Sequence, residues 1–147
     1  MDLKEIKELI PHRDSMLLVD NLCLIDGIAY GEKTIIGNEW FLNGHFPGNP
    51  IVPGVILCEI LGQTTSILLQ GKIDKGLIPY FTGLDKVRFK KPVSIGDTIK
   101  TECQIVKSKE HFYWAKGKGY VNGELCVSAE FSIAIPQSSK IPHIRSV

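Results

Sequence analysis

The sequence predicts an α+β fold: one antiparallel sheet of about five or six strands, with one long apolar helix laid against a face of it. Three observations carry this. Apolar and polar residues alternate with period two through residues 99–105 and 125–133. Asp26-Gly27 and Asn122-Gly123 are tight-turn pairs between strand-like runs. Residues 51–69 form the most apolar stretch of the chain, and it has neither the length nor the strict alternation of a strand.

Taken in order, Asp2 can cap a short amphipathic helix that presents Ile6, Leu9 and Ile10 on one face and stops at Pro11. Met16–Ile25 and Ala29–Ile36 read as a hairpin about Asp26-Gly27. Residues 37–54 are rich in Gly and Pro and much longer than the usual connection of about 4–6 residues. The helix then starts near Pro53, whose fixed φ suits a first turn, and runs to about Gln70, with Gly71 as its C-cap. Its residues are apolar nearly all round, which marks a helix buried on most sides. Pro79–Phe89, the alternating run around Ile99–Ile105, Phe112–Tyr120 and Leu125–Ile133 complete the sheet. Strands at its edge can pair with a second copy. One domain is expected over residues 1–147, with residues 136–147 as a loosely ordered tail.

Composition excludes several function classes. A net charge of +1 gives no general attraction to nucleic acid or to an anionic membrane. The first ten residues mix charges of both signs, so no secretory signal is expected there. Pro53, Gly54, Glu59 and Gln63 interrupt the apolar stretch, which argues against membrane insertion. Cys23, Cys58, Cys103 and Cys126 form no Cys-x-x-Cys pair, so free thiols in a reducing, cytoplasmic setting fit better than disulfides or a zinc site. No metal or cofactor is expected. Gly117-x-Gly119 lies in strand-like sequence with no helix after it and is no dinucleotide fingerprint.

Glu59 is the most informative residue. It sits mid-helix between Leu57, Cys58, Ile60 and Leu61, where an ionised carboxylate is costly and its pKa tends to rise. Such a group suits a general acid; the alternative is that it points to a solvated strip or makes a structural hydrogen bond to Gln63, one turn on. His45 lies in Gly44-His45-Phe46-Pro47-Gly48, a loop stiffened by Pro47, Pro50 and Pro53. A neutral imidazole held there could take a carbon-bound proton, although a lone loop histidine is often ordinary. Gly54 opens the helix, where a bare backbone N–H can hold an oxyanion; plain helix initiation would explain it too.

Gly44-His45-Phe46-Pro47-Gly48-x-Pro50-x-x-Pro53-Gly54-Val55, followed by Glu59 and Gln63, resembles the signature of the FabZ-type 3-hydroxyacyl-[acyl-carrier-protein] dehydratases. Further blocks agree: Leu9-Ile10-Pro11-His12-Arg13, Leu17-Leu18-Val19-Asp20, Tyr80–Asp85, Arg88–Val93 and Gly96-Asp97. The resemblance implies a hot-dog fold, with the sheet wrapped around one long central helix. It implies dimers with two interfacial sites, commonly assembled three at a time into a hexamer, in which His45 of one subunit faces Glu59 of the other. His45 would then remove the α-proton of the thioester. The Gly54 N–H would support the enolate oxygen, and Glu59 would protonate the departing β-hydroxyl. The product would be a trans-2-enoyl thioester in fatty acid biosynthesis. Related dehydratase-isomerases usually carry aspartate at the acidic position, so glutamate favours simple dehydration. The partner implied is acyl carrier protein bearing a 3-hydroxyacyl phosphopantetheine thioester. Phe46, Val55 and Gln63 would belong to the substrate site. Ile60 and Gly62 stand where the family commonly has alanine, which implies altered helix packing and tunnel shape.

Tyr80 and Phe81 are candidates to line or gate an acyl tunnel, with core packing as the alternative. Lys86, Arg88 and Lys90 alternate along one strand, and Lys91 adds charge nearby; they form either a docking rim for the acidic carrier protein or a merely solvated edge. His12 and Arg13 are assigned a structural hydrogen-bonding role, and His111 and His143 a place on the surface. Two other functions compete: a hot-dog acyl thioesterase, and a non-catalytic acyl or carrier-protein binding subunit. The thioesterase would leave the His45 loop without a task, and the binding subunit would need neither His45 nor Glu59.

Overall fold

The structure, a computed structural model, describes residues 1–72 and 78–136. Helix α1 spans Leu3–Leu9, and Asp2 caps it in a reciprocal box: its carboxylate accepts from the Glu5 N–H, and the Glu5 side chain accepts from the Asp2 N–H. Strands β1 (Asn21–Ile25) and β2 (Ile28–Thr34) form a hairpin. Helix α2 spans Gly54–Thr65. Then come β3 (Tyr80–Phe89), β4 (Thr98–Lys109), β5 (Phe112–Val121) and β6 (Glu124–Ala134). All pairings are antiparallel, in the order β1-β2-β4-β5-β6-β3. Both expected tight turns are present: Asp26 and Gly27 have φ of 51° and 78°, and Asn122 and Gly123 have φ of 51° and 78°.

The order places β3 at the edge beside β6, although it follows β2 in the chain. The connection between them contains the 37–54 loop and α2, so the helix crosses the inner face of the sheet. That face buries Ile99, Cys103, Ala115, Val127, Ala129 and Phe131 against Ile56, Leu57, Ile60 and Leu61 of α2. Helix and sheet approach closely where β2 carries Gly31. A Cβ there would lie 2.6 Å from the hydroxyls of both Thr64 and Thr101, which bond each other at 2.7 Å. Ile60, larger than the family's usual alanine, is completely buried in this packing. Among the described residues, no helix is long and apolar enough to cross a membrane.

The expected α-helix to Gln70 is shorter. From Ser66 to Leu69 the chain tightens into a 3-10 turn, and Gly71 follows at φ 79°. The cause is local: the hydroxyls of Thr64, Thr65 and Ser66 donate back to the carbonyls of Ile60, Leu61 and Gly62. The first strand is also shorter than Met16–Ile25. Asp14–Met16 form a 3-10 turn, and backbone groups of Met16 and Leu18 bond the α2 side chain of Gln63 instead of a neighbouring strand. Of the tail expected over 136–147, residues 137–147, with His143, lie outside the described residues. His111, expected on the surface, is half-buried there, with its ring tilted against Phe112 at 4.4 Å.

All four cysteines are free; Cys23 is exposed and the other three are buried. Burial pushes the Cys103 thiol up to about 12, and raises those of Cys58 and Cys126. Cys103 also donates to the Leu61 carbonyl at 3.3 Å. At about pH 8 a thiol reagent should therefore modify the native protein rapidly at Cys23 alone, with the other three reacting only on unfolding, as read by peptide mass spectrometry. Rapid native labelling of Cys103 would contradict the packing of α2 on β4.

Candidate active site

Glu59 lies midway along α2, and its side chain is 22% exposed rather than sealed in the core. The bond to Gln63 expected from the one-turn spacing is present: Gln63 Nε2 donates to Glu59 Oε1 at 3.1 Å. Gln63 itself is 1% exposed and has every reason to stay put. Its Oε1 accepts from the Leu18 N–H at 2.8 Å, and its Nε2 donates to the Met16 carbonyl at 2.8 Å. A backbone N–H can only donate and a carbonyl can only accept, so the amide has one orientation. The N–H side of Gln63 must therefore face Glu59.

A second side chain reaches the same carboxyl oxygen. His12 Nε2 lies 3.1 Å from Glu59 Oε1. His12 follows the end of α1, and the next residue clamps that corner. The Arg13 guanidinium donates to the carbonyls of Lys7, Ile10 and His12 at 2.6, 2.7 and 2.7 Å. Sequence reasoning assigned the pair a structural hydrogen-bonding role. That holds for Arg13, but the partner of His12 is the candidate acid. The proximity of residues 12 and 59 was not deducible from spacing; the only hint was the Pro-His-Arg block.

His12, Glu59 and Gln63 line a cavity of about 190 Å³ with Gly62, Ser66, Pro79, Tyr80, Phe81 and Ile133. Tyr80 and Phe81 thus stand on the wall of the site. Phe81 also packs edge-on against Phe131 at 5.6 Å, so wall and core are one arrangement. Gly62 makes it possible: a Cβ there would lie 2.5 Å from Phe81 Cζ.

The 37–54 loop is held as firmly as its prolines suggest, mostly by hydrogen bonds. Gly44 and Gly48 take φ of 82° and 76°, a region that suits glycine. The Ile51 N–H bonds the His45 carbonyl at 2.8 Å, and the Val52 N–H bonds the Val93 carbonyl at 2.8 Å. His45 Nδ1 lies 3.1 Å from the Ile51 carbonyl oxygen. A carbonyl only accepts, so Nδ1 carries a proton, and in the neutral ring Nε2 is the nitrogen with the lone pair. Phe46 stacks on the imidazole at 4.3 Å and is itself exposed. At the base of the loop, Glu39 accepts from the Ile36 and Gly37 N–H groups at 3.0 and 2.8 Å and lies 3.8 Å from Lys33. Burial would raise its pKa, but these hydrogen bonds and the Lys33 charge outweigh burial and hold it below 4.5.

Gly54 begins α2 after Pro53, which supplies no capping side chain. A Cβ on Gly54 would lie 2.6 Å from Phe89 Cζ, so packing against that ring favours glycine here. Val55 is 69% exposed and is not among the residues lining the Glu59 cavity. His45 and Gly54 are likewise not among the residues lining that cavity. The chain therefore brings Glu59, Gln63, Tyr80 and Phe81 together, and leaves His45, Phe46, Gly54 and Val55 outside that cavity.

The basic stretch departs from simple alternation. The β3–β6 register shifts between Asp85 and Arg88, and Lys86 takes φ 48°. Lys86 pairs with Glu130 at 3.5 Å and Lys91 with Glu124, while Arg88 and Lys90 are exposed.

Residues 10–130 match the FabA-like domain. The chain belongs to the FabA-like family. A 3-hydroxyacyl-[acyl-carrier-protein] dehydratase FabZ of Clostridium perfringens is 43% identical over 139 residues, covering 92% of this chain and 99% of that protein. The FabZ of Petrotoga mobilis is 39% identical over 139 residues, covering 94% and 100%. Among solved structures, the dehydratase heterocomplex ApeI:P of Xenorhabdus doucetiae aligns with a TM-score of 0.73 at 15% identity, over 91% of this chain and 92% of that one. The E. coli PaaI protein aligns with a TM-score of 0.60 at 16% identity, over 78% and 81%. At such identities these likenesses concern the fold alone, and they bear out the hot-dog expectation for this FabA-like chain.

Two tests follow from the site's supports. Gln63→Leu strands the buried Leu18 N–H and removes the partner of the part-buried Met16 carbonyl, and should lower stability by about 1–3 kcal/mol in urea denaturation. Glu39→Gln should cost about 1–2 kcal/mol at neutral pH. Because the folded pKa of Glu39 is depressed, its contribution is present above the ordinary value of 4.5 and is lost as pH falls through the lower folded value. Wild-type and variant stabilities should therefore converge in acid; a gap independent of pH would refute the assignment.

Proposed function

We propose that the protein dehydrates 3-hydroxyacyl-[acyl-carrier-protein] to the trans-2-enoyl thioester in fatty acid biosynthesis, with His45 as base and Glu59 as acid. The observation that carries this reading is the bond from His45 Nδ1–H to the Ile51 carbonyl, which orients the ring and makes Nε2 the basic nitrogen of the neutral imidazole. The FabZ relatives, aligned over nearly their whole length, support the reaction and its carrier-bound substrate.

The steps balance without an added reagent. His45 Nε2 takes the α-proton, and the electron pair moves into an enolate whose oxygen the Gly54 N–H holds. The enolate reforms the carbonyl as the Cα–Cβ double bond forms and the β C–O bond breaks. Glu59 gives the leaving hydroxyl its proton, so water departs. Proton return from His45 to Glu59 resets the pair.

The catalytic pair is drawn from two subunits. Within one chain His45 does not line the Glu59 cavity, and β3 stands at the sheet edge where a second copy could continue the sheet. Dimers grouped in threes complete this reading, with the enzyme in the cytoplasm. The acyl chain runs past Tyr80 and Phe81, with Phe46 and Val55 contributing from the partner's loop and helix start. Arg88 and Lys90, flanked by Lys86 and Lys91, meet the acidic carrier protein; Arg88 and Lys90 are the more available because the other two already have carboxylate partners.

The test follows enoyl absorbance in the hydration direction on an enoyl-[acyl-carrier-protein]. Wild type should consume the enoyl signal, and His45→Ala and Glu59→Gln, still folded, should lose about 10²–10⁴ in rate. Release of free thiol without hydration would replace this reading with a thioesterase. Neither signal would leave a binding subunit.

A further inference from the structure

We propose that His12 is a positioning residue for Glu59: its Nε2–H donates to Glu59 Oε1, the oxygen already bonded by Gln63, and so confines the acid's reactive proton to Oε2. The inference rests on the dehydratase reading and assigns which of the two carboxyl oxygens does the work.

The argument begins with the far side of the imidazole. His12 Nδ1 is buried and has no hydrogen-bond partner among the described residues. A proton on Nδ1 would be a buried donor with no acceptor, which costs about 1–3 kcal/mol. A bare Nδ1 costs less. That places the proton on Nε2, 3.1 Å from Glu59 Oε1. The reverse bond, a protonated Glu59 donating to His12 Nε2, would require the disfavoured Nδ1–H tautomer.

The second donor is fixed independently. Gln63 cannot flip, because the Leu18 N–H and Met16 carbonyl dictate its orientation. Oε1 therefore receives two hydrogen bonds, from Gln63 Nε2 and His12 Nε2, each at 3.1 Å. Both of its lone pairs are engaged. Oε2 has no protein partner among the described residues, so a protonated Glu59 carries its hydrogen there. The carboxyl plane is pinned from two directions, and a transferable proton occupies one place instead of two. Arg13 supports this from behind, clamping the His12 carbonyl and the end of α1.

The experiment compares wild type, His12→Leu and His12→Gln in enoyl hydration, each with a melting curve. Leucine fills the volume without a donor; glutamine can place an N–H where Nε2 stood. His12→Leu should lower kcat by about tenfold or more with KM nearly unchanged, since the bond acts on the acid and not on substrate binding. His12→Gln should recover kcat to within about fivefold of wild type. In a Glu59→Gln background, His12→Leu should cause little further loss, because the group it positions is gone. A His12→Leu enzyme within about twofold of wild-type kcat, or a folded His12→Gln enzyme as slow as His12→Leu, would overturn the proposal. Should the variants fail to fold, long-range ¹H–¹⁵N spectra of the wild type decide: protonated Nε2 with bare Nδ1 is expected, and the Nδ1–H tautomer overturns it. Wild type inactive in hydration would defeat the dehydratase reading instead, while the tautomer would still test the bond.

Discussion

The structure depends on one constraint: α2 is enclosed by the sheet, including its edge strand β3, and by the N-terminal segment, so each buried polar group on it needs a partner there. Nine of its residues, from Ile56 to Thr65, are buried. The apolar ones fill the inner face of the sheet. The polar ones cannot reach bulk water and are matched individually: Thr64 to Thr101 and the Ile60 carbonyl, Thr65 to the Leu61 carbonyl, Gln63 to the backbone of residues 16 and 18. A buried amide left unmatched would be expensive, so these bonds determine where the segment before β1 runs. The same constraint makes room for Glu59, whose neighbour Gln63 is already immobilised.

A carboxyl in this position gains direction from a support that has a structural reason of its own. Gln63 stays in place because it stitches the N-terminal segment to the helix, and Glu59 benefits. His12 has a comparable double context, since Arg13 holds its backbone by capping the end of α1. The His45 loop is built separately. It is tied at one end by the Glu39 carboxylate, closed in the middle by the His45–Ile51 bonds and joined to Val93 just before the helix. The proposed base and the proposed acid thus sit on two units with independent supports, an arrangement suited to meeting across two copies of the chain.

Much of this was legible in the residues. Period-two alternation placed β4 and β6, and the Asp-Gly and Asn-Gly pairs placed both tight hairpins, because these signals depend on local geometry alone. Glu59 and His45 stood out by being chemically out of place, one in an apolar helix and the other in an over-built loop. Two of the readings that failed share a cause. Met16–Leu18 look like strand, but their backbone partners belong to Gln63, more than forty positions away. The alternation of Lys86, Arg88 and Lys90 looks regular, but a bulge in β3 interrupts it. Neither a distant side chain nor a register shift leaves a trace in local periodicity.

The sequence by itself determined the fold class, the family and the residue types available for chemistry. Those follow from periodicity, turn preferences and an ordered set of motifs, all readable along the chain. Only the tertiary structure decided which of those residues share a cavity. It put His12 against Glu59, set Phe81 into the notch left by Gly62, and gave His45 a carbonyl that selects its tautomer. The physical reason is that a hydrogen bond depends on the position of both atoms to a few tenths of an ångström. That precision comes from packing the whole chain, and no stretch of sequence carries it alone.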